Sequence, residues 1–242
     1  MGADDPYHVP NLALARQGDG MSLLHIERRT PEHFTPTYKR KQLAAAVGAS
    51  LVPAGIFLIL AACNAFPLST VAFVGLLLFS IVWRVPMREY GLCIGNQRLR
   101  ESMRRDLEQT QPDLARRAIG FVGLSTATYL QTAHRSIETC EDVGFLCLTD
   151  GALIFRGDAI RLRIGRESIL AVDLWDHPRL TGDLKKWVHV QYRDEGQGVD
   201  IYLASREQDR LSHRRKAHPQ ILAKINSWLH DPYYSGEDKG GW

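Results

Sequence analysis

Between Gln42 and Trp83 the chain carries no charged side chain, an apolar run of 42 residues, while polar and apolar positions interchange at short range on both sides of it. A bilayer core needs about 20 apolar residues per helix, so a run of this length predicts two spans. The break falls at Cys63-Asn64-Ala65-Phe66-Pro67, where Asn and Pro mark a reversal. The expected element is a transmembrane helical hairpin, Leu43 to Ala62 and Leu68 to Trp83. Arg28, Arg29, Lys39, Arg40 and Lys41 precede it, and Arg84 and Arg88 follow it. Basic flanks stay on the cytoplasmic side, so the expected location is the cell inner membrane, with two spans and both termini cytoplasmic.

Outside this run the periods are those of a small α+β domain. Residues 1–41 mix Pro, Gly and scattered charges and read as a flexible cytoplasmic tail, with a short helix conceivable at Met21 to Ile26. Residues 42–84 are the hairpin and 85–118 a juxtamembrane helical linker. In the linker Asn96 is placed to cap a helix running to about Gln109, with Leu99, Met103 and Leu107 as a narrow apolar stripe.

From Ile119 the period becomes two. Strands are expected at Ile119 to Ser125, Gly144 to Thr149, Ala152 to Arg156, Ala159 to Ile164, Ile169 to Trp175, Trp187 to Arg193 and Gly198 to Ala204. Asp150-Gly151 and Gly157-Asp158 supply hairpin turns with positive φ, and Asp194 to Gln197 a longer polar loop. A helix from Pro219 to His230 then puts Ile221, Leu222, Ile225, Trp228 and Leu229 on one face, suited to closing the end of a barrel. Residues 231–242 read as a flexible tail.

Seven antiparallel strands followed by one amphipathic helix, together with Gly144 to Asp158, Arg161-Leu162-Arg163-Ile164 and Ile169-Leu170-Ala171-Val172, resemble bacterial membrane-anchored PH-like (pleckstrin-homology or GRAM-like) domain proteins. The resemblance covers Ile119 to Leu229. It implies a PH-like seven-stranded antiparallel β-barrel at 119–230 with a C-terminal capping helix, set behind the hairpin. It also implies a non-enzymatic binding module that recognises phosphorylated headgroups or peptides through cationic strand and loop positions. A second motif, Leu60-Ala61-Ala62-Cys63, resembles a bacterial lipobox, but the 41 residues before it and the apolar segment after it favour a span.

Charge and chemistry narrow the reading. Thirty Lys and Arg against 27 Asp and Glu give a net charge of +3. The four cysteines, Cys63, Cys93, Cys140 and Cys147, lack CxxC spacing, and His213 and His218 do not share a helical face, so no metal is expected. No phosphate loop, nucleophile elbow or HExxH occurs, so no catalytic residue and no cofactor are expected. His177 and His189 show no partner in the sequence and read as surface residues. Arg156, Arg161, Arg163 and Arg166 gather around one hairpin and form the candidate anion or headgroup site. Arg210, Arg214, Arg215 and Lys216 form a second basic group before the last helix. The expected partners are the lipid bilayer, an anionic headgroup and a membrane protein, and nucleic acid is not among them. The alternative is a protein-interaction subunit or adaptor of a larger membrane assembly, docking by an edge strand.

Overall fold

Alternation of apolar and polar residues produces eight antiparallel strands in the computed structural model, which describes residues 24–42, 44–45, 48, 95–132, 140–177, 186–207 and 211–231. In chain order these are β1 (Leu24–Arg28), β2 (Ala118–Thr126), β3 (Asp142–Leu148), β4 (Ala152–Gly157), β5 (Ile160–Gly165), β6 (Ile169–Asp176), β7 (Lys186–Asp194) and β8 (Gln197–Ser205). The sheet order is β1-β5-β4-β3-β2-β8-β7-β6. Helix α1 is Asn96–Thr110, α2 Pro112–Arg116, α3 Ala127–Thr132 and α4 Leu211–His230.

The inner face of the sheet gathers Leu146, Leu153, Phe155, Leu162, Val188, Val190, Tyr192 and Leu203 into one core, closed by Ile221, Ile225 and Trp228 of α4. The Trp228 indole N–H donates to the Thr149 carbonyl at 2.7 Å, which satisfies the one polar atom of a buried aromatic ring. A second core lies on the opposite face of the same sheet. There Leu99, Met103 and Leu107 of α1, with Phe34, cover Phe121, Val143, Phe145 and Cys147. Burial of three such side chains contributes about 1.5–3 kcal/mol each. Strands β2 and β3 are therefore buried on both faces, which is why Phe145-Leu146-Cys147-Leu148 is continuously apolar rather than alternating.

All seven strands expected from Ile119 onward are present, with ends displaced by at most two residues. The membrane architecture is corrected. Among the described residues no helix is long and apolar enough to cross a membrane. The longest, α4, carries Arg214, Arg215, Lys216 and Lys224, charges that a bilayer core would penalise. Apart from residues 44–45 and 48, the expected spans, Leu43 to Ala62 and Leu68 to Trp83, lie outside the described residues. The α+β membrane fold class, the transmembrane hairpin and the two-span inner-membrane location thus give way to a large antiparallel eight-stranded sheet with few helices.

Further differences have local causes. The tail contributes β1, a strand rather than a helix, because Leu24 and Ile26 alternate with His25 and Glu27 and the edge of β5 offers unpaired backbone groups. Helix α1, which falls in the expected linker, packs its apolar stripe on the outer face of the sheet. Asn96 does not cap it; Gly95, with φ +82, occupies that place and Asn96 is buried. Helix α4 begins eight residues before Pro219, which lies inside it. Just ahead of that proline, buried His218 accepts the Ser205 backbone N–H at its Nε2, 2.8 Å away, tying the early turns to β8.

The turns also exchange roles. Among the described residues positive φ occurs at Gly95, Glu195 and Gly196 alone, so the Asp150-Gly151 and Gly157-Asp158 connections are not built on it. The expected longer loop after Asp194 is instead a tight turn, with Glu195 and Gly196 at φ 46 and 86 between the paired residues Asp194 and Gln197.

Candidate functional site

The register of three neighbouring strands builds the site. Glu27 of β1 lies opposite Arg161 of β5, Arg161 opposite Arg156 of β4, and Arg156 opposite Phe145 of β3. These residues therefore form a row across the outer face, charged at the sheet edge and apolar where α1 covers it. Like charges directly opposite on paired strands are destabilising, so the Arg156–Arg161 pair is a local cost to the fold.

A cleft of about 530 Å³ opens over this row between α1, the chain at 29–33 and the ends of β4 and β5. Met103, Leu107 and Phe145 give it an apolar wall, and Arg29, Arg156 and Arg161 reach in from the other side. A smaller hollow of about 210 Å³ shares Arg156 and Arg161 and adds Arg163, Leu114 and Ile154.

The segment that carries Arg29 is held firmly. Arg29 N–H donates to the Ala159 carbonyl at 2.7 Å. The Asp158 carboxylate accepts the backbone N–H groups of His33 and Phe34 at 2.9 and 2.7 Å. His33 also meets Asp106 of α1 at 2.7 Å. Beneath it, Asp142 accepts the N–H groups of Ala159 and Ile160 at 3.0 and 2.7 Å. A Cβ at Gly157 would overlap the same carboxylate, so glycine is required there by close approach rather than by φ. Burial pushes the Asp142 carboxyl up to about 7, against the lowering effect of those N–H groups, and its Oδ1 has no hydrogen-bond partner.

Charge across the cleft is uneven. Glu27 accepts from Arg29 at 2.6 Å and faces Arg161 at 3.6 Å. The Arg29 hydrogen bond, with the charges of Arg29, Arg161 and Arg156, holds the Glu27 carboxyl below its ordinary range although partial desolvation opposes this. Arg156 is half-buried, and its side chain makes no ion pair or hydrogen bond among the described residues. Its pKa is lowered by burial first and then by Arg161 and Arg29, with Glu27 opposing. Glu32, Asp106 and Asp158 also line the cleft, so the lining as a whole is nearly balanced. Asp158 is held by backbone N–H groups and Asp106 meets His33, hydrogen bonds that leave the carboxylate charges in the lining, while the row itself sets Arg156 and Arg161 against Glu27.

Of the four arginines singled out in the sequence, the structure brings Arg156 and Arg161 together and puts Arg163 in the adjoining hollow. Arg166 is elsewhere. It donates to the carbonyls of Leu229 and Asp231 at 3.0 and 2.9 Å and lies 5.4 Å from the Trp228 ring, closing the end of α4. The sequence reading missed Glu27, Arg29 and His33, although the alternation through Leu24-His25-Ile26-Glu27 carried the signal of a strand there. Of the second basic group, Arg210 and the side chains of Arg214, Arg215 and Lys216 lie outside the described residues.

The two histidines read as free are both engaged. His189 lies between Asp173 at 3.0 Å and Asp200 at 2.9 Å and stacks on Tyr202, bracing β6, β7 and β8. His177 is buried beside the rings of Trp175 and Trp187. Among the described residues no group of three or more His, Cys, Asp or Glu is arranged to hold a metal ion. Cys147 packs in the outer core, where burial pushes its thiol up to about 12, so it is a small apolar residue and not a nucleophile.

No family model matches this chain, and none of the curated proteins matches it.

Proposed function

We propose that this protein is a non-enzymatic binding module that recognises an anionic group in the cleft between α1, the 29–33 segment and β4–β5. The observation that carries the reading is Arg156: a half-buried guanidinium, directly opposite a second one and near a third, with a single carboxylate at the row to offset them. Guanidinium groups match the oxygens of phosphate and carboxylate bidentately, and partial burial strengthens such pairs. The neighbouring wall of Met103, Leu107 and Phe145 suits an apolar portion attached to the anion. Seven antiparallel strands and a closing helix also support the PH-like reading, which supplies binding modules rather than catalysts.

The test uses the full chain, because β1 and Arg29 come from the tail and a fragment starting after residue 90 would lack them. Titration with methyl phosphate at low salt should give saturable binding that Arg156→Gln and Arg161→Gln each weaken by about tenfold, while Arg166→Gln leaves it unchanged. Equal affinity in all four proteins sinks the reading. Comparing glycerol phosphate in solution with phosphatidate in vesicles separates a soluble source of the anion from a lipid headgroup.

One observation favours a second reading, protein docking without anion specificity. Strand β6 is one of the two edge strands of the sheet among the described residues, and it exposes Leu170 and Leu174. An added strand could pair there. Charge removal at Arg156 and Arg161 would leave that docking intact, whereas Leu174→Arg would abolish it.

A further inference from the structure

Three arginines and three carboxylates line the cleft, so their formal charges cancel, but the two signs enter from different elements. Asp106 comes from α1, three residues after Met103 and next to Leu107, on the side of the apolar wall. One of its oxygens, Oδ2, meets the His33 ring at 2.7 Å, and the other makes no hydrogen bond among the described residues. Its side chain is 55% exposed and so is open to a ligand. The exposed Glu32 side chain makes no ion pair or hydrogen bond among the described residues. Arg156 and Arg161 come from the sheet, one and two strands beyond Phe145, which α1 covers. At about 4.8 Å per strand they arise about 5 and 10 Å to the side of the helix-covered strand. The third carboxylate, Asp158, turns Oδ2 to the backbone of His33 and Phe34, and the third arginine, Arg29, is drawn to Glu27. The cleft is therefore polarised, with two guanidinium groups on the β4–β5 side and carboxylates on α1 and the 29–33 segment.

We propose that the cleft selects a zwitterion: a phosphate or carboxylate seated on Arg156 and Arg161, joined by a short apolar link to an ammonium group that meets Asp106 and Glu32. This names the ligand class of the anion site and rests on that reading of the cleft. A bare anion is attracted by the arginines and repelled by Asp106 and Glu32, because both sets of charges act over the same few ångströms. An ammonium group on the same ligand turns the second interaction from a loss into a gain. The carbons between the two charges then lie against Met103, Leu107 and Phe145. Complementary charge at both ends fixes the direction in which the ligand lies and discriminates against anions that lack the amine. If Asp106 served only to hold His33, removal of its charge would affect ligands with and without the amine alike.

The experiment is calorimetric titration of the full chain at low salt and about pH 8 with phosphoethanolamine and propyl phosphate, which differ only by an ammonium group in place of a methyl group. At that pH both phosphates are mostly dianionic and the amine is protonated. The native protein should bind phosphoethanolamine about three- to tenfold more tightly. Asp106→Asn, which keeps an oxygen for His33, should tighten propyl phosphate and weaken phosphoethanolamine. Asp106→Asn combined with Glu32→Gln should bring the two affinities to within about twofold of each other. Arg156→Gln should weaken both ligands by a similar factor and keep their ratio. Glycerophosphoethanolamine in solution against phosphatidylethanolamine in vesicles separates a free zwitterion from a lipid headgroup. Equal affinities in the native protein, or an unchanged ratio in the double variant, overturn the proposal while leaving the anion site standing. Absence of binding for both ligands in the native protein and in the double variant overturns the anion site itself.

Discussion

Asp142 links the stability of the whole β4–β5 corner to pH. Its carboxylate holds the N–H groups of Ala159 and Ile160, and its other oxygen is buried without a partner. Burial raises its pKa from 3.8 to about 7. A carboxyl whose folded pKa is raised binds a proton more tightly in the folded state. Its contribution is therefore fully present below pH 3.8 and is lost progressively as pH rises through about 7. At roughly 1.4 kcal/mol per unit, the whole loss is about 4 kcal/mol, and the part that falls between pH 5 and 8 is about 3 kcal/mol. The perturbation is Asp142→Asn, which retains an oxygen acceptor for the two N–H groups but cannot ionise. Denaturant unfolding of both proteins from pH 5 to 8 isolates the residue, because every other titrating group is common to the pair. The native protein should lose about 3 kcal/mol relative to the variant over that interval. A constant difference across the interval would show that the carboxyl is not raised, and would refute the account of the corner as a buried acid held by backbone donors.

Other expectations follow from particular contacts. Gly157→Ala forces a methyl group into the Asp142 carboxylate and should cost about 2–4 kcal/mol by chemical denaturation, whereas Gly151→Ala, which meets open space, should cost under about 1 kcal/mol. Met103→Ala removes the middle of the α1 stripe and should destabilise the protein by about 2–5 kcal/mol, with faster hydrogen exchange confined to α1 and the 29–34 segment if the outer core is as separate as its contacts indicate. Arg166→Ala strips two bonds from the end of α4 and should lower stability by about 1–3 kcal/mol with no change in methyl phosphate affinity; loss of affinity would return Arg166 to the site.

The sequence by itself determined what depends on neighbours along the chain. Strands β2 to β8 were legible because alternation such as Val188, Val190 and Tyr192 against His189, Gln191 and Arg193 permits one pleat and one buried face. The apolar stripe Leu99, Met103 and Leu107 likewise announced α1. The uncharged run from Gln42 to Trp83 spoke as strongly for two spans, and among the described residues no helix bears that out. The outward direction of Arg161 and Arg163 was legible for the same local reason, since they alternate with the core residues Ile160, Leu162 and Ile164 on β5.

The tertiary structure decided everything that rests on contacts between distant residues. Glu27 meets Arg161 across more than 130 positions of sequence and pairs with Arg29 beside it, so nothing in the tail alone marked them as neighbours of the β5 arginines. Arg166 has the same chemistry and the same neighbourhood in sequence as Arg161, yet two carbonyls at the end of α4, those of Leu229 and Asp231, turn it into a structural residue. His189 acquires its carboxylates only when β6 and β8 flank β7. Charge and alternation are local properties of the chain, whereas partners are created by strand pairing, and in this protein pairing separates the arginines that line the cleft from the one that holds a helix.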